Sequence, residues 1–326
     1  MTLEQIFNQV NELFANETYI AEPNELYQPI EYTMHLGGKR LRPTMLIAAN
    51  QMFGGDTKQV LHAAIAIETF HNFTLLHDDL MDKSPLRRGK PTVYRKWNEN
   101  VAILSGDTML AIAWKYILRQ PHPHLDLILN CFNDTALGVF DGQQYDMNFE
   151  TRDDVSIPEY MNMIRLKTAV LLAGALKIGA LYANAPTTDI DKLYNFGIHL
   201  GLAFQLQDDL LDAFGDISVL GKQTGQDILD NKKTFLYLKA LEMTSGQQRQ
   251  QLFQLFCDEK FSAIPPQEKV ARVLQIYRDI DIRTAVEQTI DEEFNKADSA
   301  LQAILLPEDK KETLRQLSQT LLHRDK

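Results

Sequence analysis

Apolar residues recur at three- and four-residue intervals through most of this chain, and this periodicity restricts its fold more than any other feature. Such spacing lines one face of an α-helix, whereas the alternating β-branched runs that predict strands are scarce. Gly and Pro concentrate where such helices would end, as at 36–38, 54–55 and 121–123. The sequence therefore predicts an all-α protein, with long helices over 58–81, 98–119, 125–140, 157–183 and 188–212.

The domain organisation follows from length and composition. The chain has 326 residues, of which 44% are hydrophobic, so a large core is available. It shows no low-complexity linker, internal repeat or compositional shift, and we expect one domain over 1–326. Several helices are apolar on more than one face, which favours a central bundle ringed by other helices. Residues 242–279 carry no recognisable motif and are predicted to form peripheral helices.

Charge and cysteine content narrow the possible partners. The net charge of −11 argues against nucleic acid and anionic membranes as partners. The two cysteines form no CxxC pair, which is typical of a protein in a reducing cytoplasm. The first residues lack the pattern of a signal peptide. The apolar stretch 169–182 is shorter than the roughly 20 residues of a membrane span, and it is better interpreted as a buried helix. We expect a soluble cytoplasmic protein without stable membrane insertion.

Two aspartate clusters are the strongest chemical signal. Both have the pattern DDxxD and both lie late in apolar helices. Residues four apart lie about 5.4 Å along one helical face, so the first and last aspartates share a face and the middle one lies about 100° round. Three carboxylates this close repel one another unless a cation lies among them, and Mg²⁺ prefers such ligands. The predicted metal ligands are Asp78, Asp79, Asp82, Asp208, Asp209 and Asp212.

Basic residues beside these clusters predict anion sites. Paired glycines precede Lys39, Arg40 and Arg42, and Arg87 and Arg88 follow the first aspartate cluster. Arginine matches phosphate oxygens with a planar fork, and lysine supplies a point charge. Other cations occur near apolar or glycine-containing segments. They are Lys167, Lys222, Lys232 and Lys233.

As a set, these motifs identify a family. The chain resembles the trans-isoprenyl diphosphate synthases, or polyprenyl synthetases, over nearly its whole length. The resemblance is carried by GGKRLRP at 37–43, DDLMD at 78–82 with LRRGKPTVY at 86–94, GQQYD at 142–146, RLKTA at 165–169, FQLQDDLLD at 204–212, and GKQTGQDI and NKKT beyond it. It implies an isoprenoid synthase fold, a single helical bundle with a deep central cavity, and a homodimer.

The resemblance also implies residue roles. About three Mg²⁺ would bind the aspartates together with an allylic diphosphate, and isopentenyl diphosphate would occupy a second site. The family's contacts to the allylic diphosphate fall on Arg87, Lys167, Lys222 and Lys232. Those to isopentenyl diphosphate fall on Gly38, Lys39, Arg42, His71 and Arg88. Lys167, Thr168 and Gln205 would place dipoles near the developing allylic cation. His71 lies about 20° from the helical face of Asp78.

Product length is expected to depend on the side chains four and five residues before the first aspartate. These are Thr74 and Phe73. A small residue and an aromatic at these positions resemble synthases that make a twenty-carbon product, with a fifteen-carbon product as the alternative. On a helical wheel Phe73 lies about 140° from Asp78, so its role as a length limit comes from the resemblance, and a core-packing role is the competing interpretation.

Two other functions share part of the pattern. A terpene cyclase has the first aspartate motif but usually lacks the second and the GGKR site. A non-catalytic subunit of a heteromeric synthase typically loses an aspartate motif. A helical metal phosphohydrolase is a weaker alternative, since the histidines are mostly not paired with aspartates at ligand spacing. The head-to-tail condensation of isopentenyl diphosphate with an allylic diphosphate, through an allylic cation, is the function predicted.

Overall fold

A computed structural model describes residues 1–215, 225–258 and 264–322. Helices dominate the described residues, and the prediction of an all-α fold is confirmed. The helices are α1 (Leu3–Asn16), α2 (Asn24–Met34), α3 (Leu41–Met52), α4 (Leu61–Met81), α5 (Val93–Lys96), α6 (Glu99–Ile117), α7 (Leu125–Glu150), α8 (Ile157–Ile164), α9 (Val170–Tyr182), α10 (Thr187–Phe214), α11 (Gln226–Leu229), α12 (Phe235–Met243), α13 (Gly246–Cys257), α14 (Pro266–Asp279), α15 (Ile282–Gln302) and α16 (Glu308–Leu322). A two-stranded antiparallel sheet pairs β1 (Leu86–Arg87) with β2 (Lys90–Pro91).

The chain comprises two compact units. Unit 1 contains Met1–Asn133, Gly174–Asp191 and Leu305–Gln316, and unit 2 contains Asp134–Ala173, Lys192–Ile304 and Leu317–Lys326. The expectation of one domain over 1–326, with a cavity at its centre, stays a prediction.

Helix α4 is the centre of unit 1, where it packs against α3 and α6. Every residue from Ala63 to Phe70 is buried, and alanines at 63, 64 and 66 let neighbouring helices approach closely. Asn98 caps α6 by accepting a hydrogen bond from the Val101 amide at 2.9 Å. This packing fixes the direction of α4, at whose C-terminal end the first aspartate cluster lies.

In unit 2, helix α12 contacts both α8 and α15, and α14 contacts α11, α13 and α15. Ser156 and Glu159 form a reciprocal capping box at the start of α8. Beyond α8 the backbone forms a π-helical turn, Arg165–Ala169, before α9 begins. The second aspartate cluster lies near the end of α10, the long helix that begins at Thr187.

The predicted helices are present with altered bounds. The helix predicted over 125–140 continues ten residues further, to Glu150, and the one predicted over 157–183 is interrupted by the π turn. Helix α9 is almost entirely buried, as the apolar stretch 169–182 predicts. No helix among the described residues is both long enough and apolar enough to span a bilayer.

Candidate active site

The first aspartate cluster lies at the C-terminal end of α4. Asp78 is half-buried, Asp79 is buried and Asp82 is exposed. Asp82 caps the helix, and its amide donates to the Asp78 carbonyl at 2.8 Å. The three carboxylates therefore have different surroundings, with the middle one turned toward protein and the outer two accessible.

The β1–β2 hairpin brings a cation to this cluster. Arg87 Nε donates to Asp79 Oδ1 at 2.9 Å, and Arg87 Nη2 lies 3.6 Å from Asp78 Oδ2. The two turn residues, Arg88 and Gly89, both have positive φ, as tight hairpin turns require. Arginine rarely adopts this backbone conformation, and such strain is concentrated at functional sites.

A concentration of positive charge surrounds His71 in unit 1. Burial lowers the pKa of His71 well below its usual value, and the charges of Arg42, Arg88, Arg87 and Arg40 lower it further. Gly38 lies so close to Arg88 that a Cβ at this position would be 2.6 Å from the guanidinium carbon. The glycine thus lets backbone and guanidinium meet. The positive electrostatic potential of these arginines favours the binding of an anion.

Arg40 has a structural role within this group. Its guanidinium is buried and donates to Glu68 Oε1 at 2.9 Å and to the Met34 carbonyl. It also stacks over Phe14, 4.5 Å from the ring centroid. The charge of Arg40 is therefore compensated within the protein, as a buried charge requires.

The second aspartate cluster repeats the pattern of the first. Asp208 and Asp212 are half-buried and Asp209 is buried. Asp209 accepts hydrogen bonds from Tyr160 Oη and from Gln205 Nε2, the latter at 3.1 Å. Thr168 Oγ1 donates to Gln205 Oε1 at 3.0 Å, so a chain of hydrogen bonds runs from the π turn to this aspartate.

Asp209, Asp212 and Asp227 of unit 2 repel one another in a poorly solvated environment. Burial raises the pKa of Asp209 to about 8, and the charge of Asp227 raises it too. Burial and the neighbouring Asp212 raise the pKa of Asp227 to about 7. The Asp227 amide also donates to Asp212 Oδ2 at 3.1 Å. Ionising these groups together requires a cation nearby.

A cavity of about 110 Å³ lies in unit 2 beside these carboxylates. Lys167 enters it from the π turn and donates to Asp146 Oδ2 at 2.7 Å. Gly142 of α7 lies against that turn, where a Cβ would be 2.2 Å from the Lys167 amide nitrogen. The predicted residues that line the cavity are Lys167, Thr168, Gln205, Asp209, Lys232 and Lys233.

The predicted residues thus fall into two groups. Unit 1 holds Asp78, Asp79 and Arg87 in contact, with Arg42 and Arg88 in the charge cluster around His71. The residues around the cavity belong to unit 2. Gly38, Lys39 and Asp82 of unit 1 are exposed, Asp208 and Asp212 of unit 2 are half-buried, and Lys222 lies outside the described residues. That the two groups form one site stays a prediction.

The cavity-lining residues without a predicted role include Asp146, Tyr160 and Asp227. Asp146 ends the GQQYD stretch and Asp227 lies in GQDI, so their motifs were recognised without a role. Tyr160 had no signal, because an apolar helix position with tyrosine is typical of a core residue.

Comparison with known proteins gives the family. The polyprenyl synthetase family model matches residues 23–280. This chain belongs to the polyprenyl synthetase family. Over 225 residues it is 40% identical to a geranylgeranyl diphosphate synthase of Methanosarcina mazei, covering 68% of this chain and 69% of that one. The predicted family resemblance is thereby confirmed.

Solved structures of polyprenyl synthetases share the fold. A geranylgeranyl pyrophosphate synthase superposes with a TM-score of 0.94 at 41% identity, covering 99% of both chains. A Caulobacter crescentus polyprenyl synthase, solved with calcium and isoprenyl diphosphate, has a TM-score of 0.88 at 28% identity, covering 99% of this chain and 96% of that one. The predicted isoprenoid synthase fold is confirmed.

The oxygen-rich donor set of this polyprenyl synthetase fits a hard divalent cation. Buried carboxylates with raised pKa values gain most from such a charge, and carboxylate oxygens are its preferred ligands. Across the described parts of the chain, no three acidic, imidazole or thiol groups converge into a metal site made by protein alone. Mg²⁺ commonly takes one or two carboxylates and completes its shell with water and substrate phosphates.

Phe73 and Thr74 lie in the last turns of α4. Phe73 is buried, with its ring centroid 4.8 Å from that of His77 and 5.7 Å from that of Phe70. Thr74 is half-buried and donates to the His71 carbonyl at 2.8 Å. The aromatic residue therefore packs in unit 1 while the threonine lies nearer the surface of the helix.

Proposed function

We propose that this chain is a prenyltransferase that condenses isopentenyl diphosphate head to tail with allylic diphosphates. The main product has twenty carbons, with fifteen carbons as the alternative. The observation that carries the proposal is the positive charge around His71, because it adds an anion site to two intact aspartate clusters. A terpene cyclase, with one diphosphate to bind, has no use for a second anion site. A non-catalytic subunit has no use for two intact metal-ligand clusters.

In unit 1, the charge cluster supplies the isopentenyl diphosphate site. Arg42 and Arg88 bind its diphosphate, helped by Lys39 and by the backbone at Gly38. His71 is neutral at pH 7, so it donates a hydrogen bond without adding charge. The strained hairpin turn keeps the Arg88 guanidinium against Gly38, which reduces the entropy lost on binding.

The allylic diphosphate is bound through cations. Asp78, Asp82, Asp208 and Asp212 are the accessible ligands for about three Mg²⁺, and Asp79 and Asp209 are the buried members of the same set. When bound, Mg²⁺ neutralises the diphosphate and stabilises it as a leaving group. Arg87, Lys167, Lys222 and Lys232 add direct contacts to the same phosphates.

The protein's own groups then control the allylic cation. The Lys167 ammonium is held at 2.7 Å by Asp146, and Thr168 and Gln205 are held by the hydrogen-bond chain from Asp209. The Thr168 and Gln205 oxygens stabilise the positive charge as the C–O bond breaks, and the Lys167 ammonium stabilises the departing diphosphate. Phe149, Met163 and Ile164 line the same cavity and exclude water, which would otherwise trap the cation. The double bond of isopentenyl diphosphate attacks the cation, and the released diphosphate takes the proton.

Three further parts of the proposal rest on the family. Phe73 and Thr74 limit the growing chain. The protein works as a homodimer. It acts in the reducing cytoplasm, in keeping with the thiol form of Cys131 and Cys257.

A product assay tests the proposal. The protein is incubated with Mg²⁺, labelled isopentenyl diphosphate and, separately, five-, ten- and fifteen-carbon allylic diphosphates, and the products are separated by length. We expect label in a twenty-carbon product, none after chelation, and recovery when Mg²⁺ is restored. A fifteen-carbon product would overturn the length assignment, and no incorporation from any starter would overturn the synthase.

Two variants separate the substrate sites. Arg42→Gln should raise KM for isopentenyl diphosphate, and Lys232→Gln should raise KM for the allylic substrate. The reverse pattern would contradict the assignment of the two sites.

A further inference from the structure

The segment from Gln226 to Lys232, here called the Asn231 turn, connects the second aspartate cluster to the cavity. It begins with the short helix α11 and ends in a Schellman motif. The Lys232 amide donates to the Asp227 carbonyl at 2.9 Å, and the Asn231 amide donates to the Ile228 carbonyl at 3.3 Å. Asn231 has φ of +57°. The motif therefore fixes Lys232 relative to Asp227.

Asparagine at the left-handed position has a use that glycine lacks. Glycine is the usual residue there because it adopts positive φ without strain, and asparagine is the next most tolerant. The side chain of Asn231 accepts a hydrogen bond from Lys269 Nζ at 2.5 Å. An amide oxygen at this position thus joins the turn to helix α14.

Lys269 is an unusual hydrogen-bond donor because it is buried. It is only 8% exposed, and its ammonium lies 5.5 Å from the centroid of the Phe256 ring. Burial lowers the pKa of Lys269, whereas the nearby Asp230 charge raises it. A lysine is rarely buried unless its ammonium is paired with another group, because removing the charge from water is costly.

Helix α14 also meets the start of the turn. Gly225, with φ of +83°, precedes α11, and a Cβ there would lie 2.8 Å from Val270 Cγ1. Lys269 and Val270 therefore contact the two ends of one turn. Helix α14 lies within 242–279, the segment predicted to form peripheral helices, and it contacts a turn of the proposed site.

The turn carries two groups of the proposed site. The Asp227 amide donates to Asp212 Oδ2 at 3.1 Å, and Lys232 lines the cavity. We infer that Lys269 is a positioning residue for the allylic diphosphate site, because its hydrogen bond to Asn231 holds the turn that presents Asp227 and Lys232. The inference rests on the proposed function for the identity of the ligand.

Lys269→Met tests this assignment while preserving an unbranched side chain. We expect KM for the allylic diphosphate to rise about tenfold, as small displacements of binding groups produce, with KM for isopentenyl diphosphate unchanged. Asn231→Gly keeps the positive φ but removes the acceptor, so it should cause the same selective rise. In the double variant the two effects should not add, since they break one interaction.

Lys311→Met is the matched control. Lys311 is also buried, at 2% exposure, and its ammonium bonds Glu308 at 2.9 Å within α16. The Lys311→Met substitution should lower the midpoint of thermal unfolding without changing KM for either substrate. If Lys269→Met and Asn231→Gly behave in the same way, the positioning role is overturned. Asn231→Gly answers the question alone if the Lys269 variant does not fold.

A binding measurement separates this inference from the proposed function. Calorimetry with inorganic pyrophosphate, in the presence and absence of Mg²⁺, reports the metal-dependent diphosphate site without turnover. We expect the metal-dependent affinity to fall about tenfold in both variants. If wild type binds pyrophosphate in this way but makes no prenyl product, the synthase fails and the positioning role stands. Unchanged affinity in both variants overturns the positioning role.

Discussion

At the scale of residues, the two aspartate clusters divide their carboxylates in the same way. The middle aspartate of each is buried and bonded to a neighbour, Arg87 for Asp79 and Tyr160 for Asp209. The first aspartate of each is half-buried. A carboxylate held by the protein fixes geometry, whereas an accessible one can bind a cation and a substrate.

The accessible aspartates should therefore be needed for turnover but not for folding. We expect Asp78→Ala and Asp208→Ala each to lower kcat by at least about a hundredfold, because each removes a ligand for the charge that stabilises the leaving group. The midpoint of thermal unfolding should stay close to that of wild type. Asp191→Ala, an exposed aspartate on the same helix as Asp208, is the control. Activity near that of wild type in either test variant would remove these residues from the metal site.

The lowered pKa of His71 predicts how the stability of the protein depends on pH. Its pKa in the folded protein is well below the ordinary value of about 6.5, so the unfolded chain binds a proton that the folded chain does not. Above about pH 6.5 this difference is absent. As the pH falls below that value, the free energy of unfolding of wild type should fall by up to about 1.4 kcal/mol per pH unit from this group.

Urea unfolding at pH 7.5 and pH 5.5 measures the effect. His71→Gln should lose less stability than wild type between these two values, because glutamine does not titrate. Equal losses of stability in the two proteins would show that burial and the neighbouring arginines do not hold His71 neutral.

At the scale of elements, helices were predictable and their interruptions were not. Periodic apolar residues identified α4, α6 and α10 to within a few residues. The continuation of α7 to Glu150 was not predicted because the segment after Phe140 is largely polar and exposed, so few apolar residues mark it as helical. The π turn at Arg165–Ala169 has no local signal, since it depends on packing against another helix.

The same contrast applies to the site. The aspartate and arginine motifs could be found because their chemistry shows in the residue types. Tyr160 and Lys269 could not, because each acts through a partner distant in sequence, Asp209 and Asn231. Only the fold brings these pairs together.

Gly142 tests whether the π turn is held by packing. An alanine Cβ would lie 2.2 Å from the Lys167 amide nitrogen, and a backbone atom cannot move aside as a side chain can. We expect Gly142→Ala to destabilise the protein by about 1–3 kcal/mol and to lower kcat, because the turn carrying Lys167 and Thr168 must shift.

Gly138→Ala on the same helix is the matched control. Its Cβ would lie 3.4 Å from Val170 Cγ2, an ordinary contact, and alanine is favoured over glycine in a helix by about 1 kcal/mol. This variant should be as stable as wild type or more so, with unchanged kcat. Stability is measured by urea unfolding and kcat by the product assay. Comparable losses of stability and of kcat in both variants would contradict the packing argument.

At the scale of the whole molecule, an acidic chain concentrates positive charge where the proposed substrates bind. The net charge is −11, yet burial together with four nearby arginines lowers the pKa of His71. An acidic surface limits non-specific binding of anions, and the local basic groups admit the right ones. An acidic net charge that argues against nucleic acid is therefore compatible with diphosphate substrates.

Helix α7 presents an apolar stripe that suits the expected homodimer. Leu137, Phe140 and Met147 are 52%, 38% and 40% exposed, and they lie within about 80° of one another around the helix. Exposed apolar side chains aligned along one helix are typical of an interface. A second copy would cover the same stripe on its partner, as a two-fold interface requires.

Light scattering after gel filtration should therefore give a particle of twice the 37.3 kDa chain mass. Leu137→Glu and Met147→Glu together should yield monomers, because they place charges in an apolar interface. Leu305→Glu should leave the dimer intact, although Leu305 is 88% exposed, since it stands alone on another part of the chain. A dimer that survives the α7 changes would place the interface elsewhere, and a monomeric wild type would remove the dimer from the proposal.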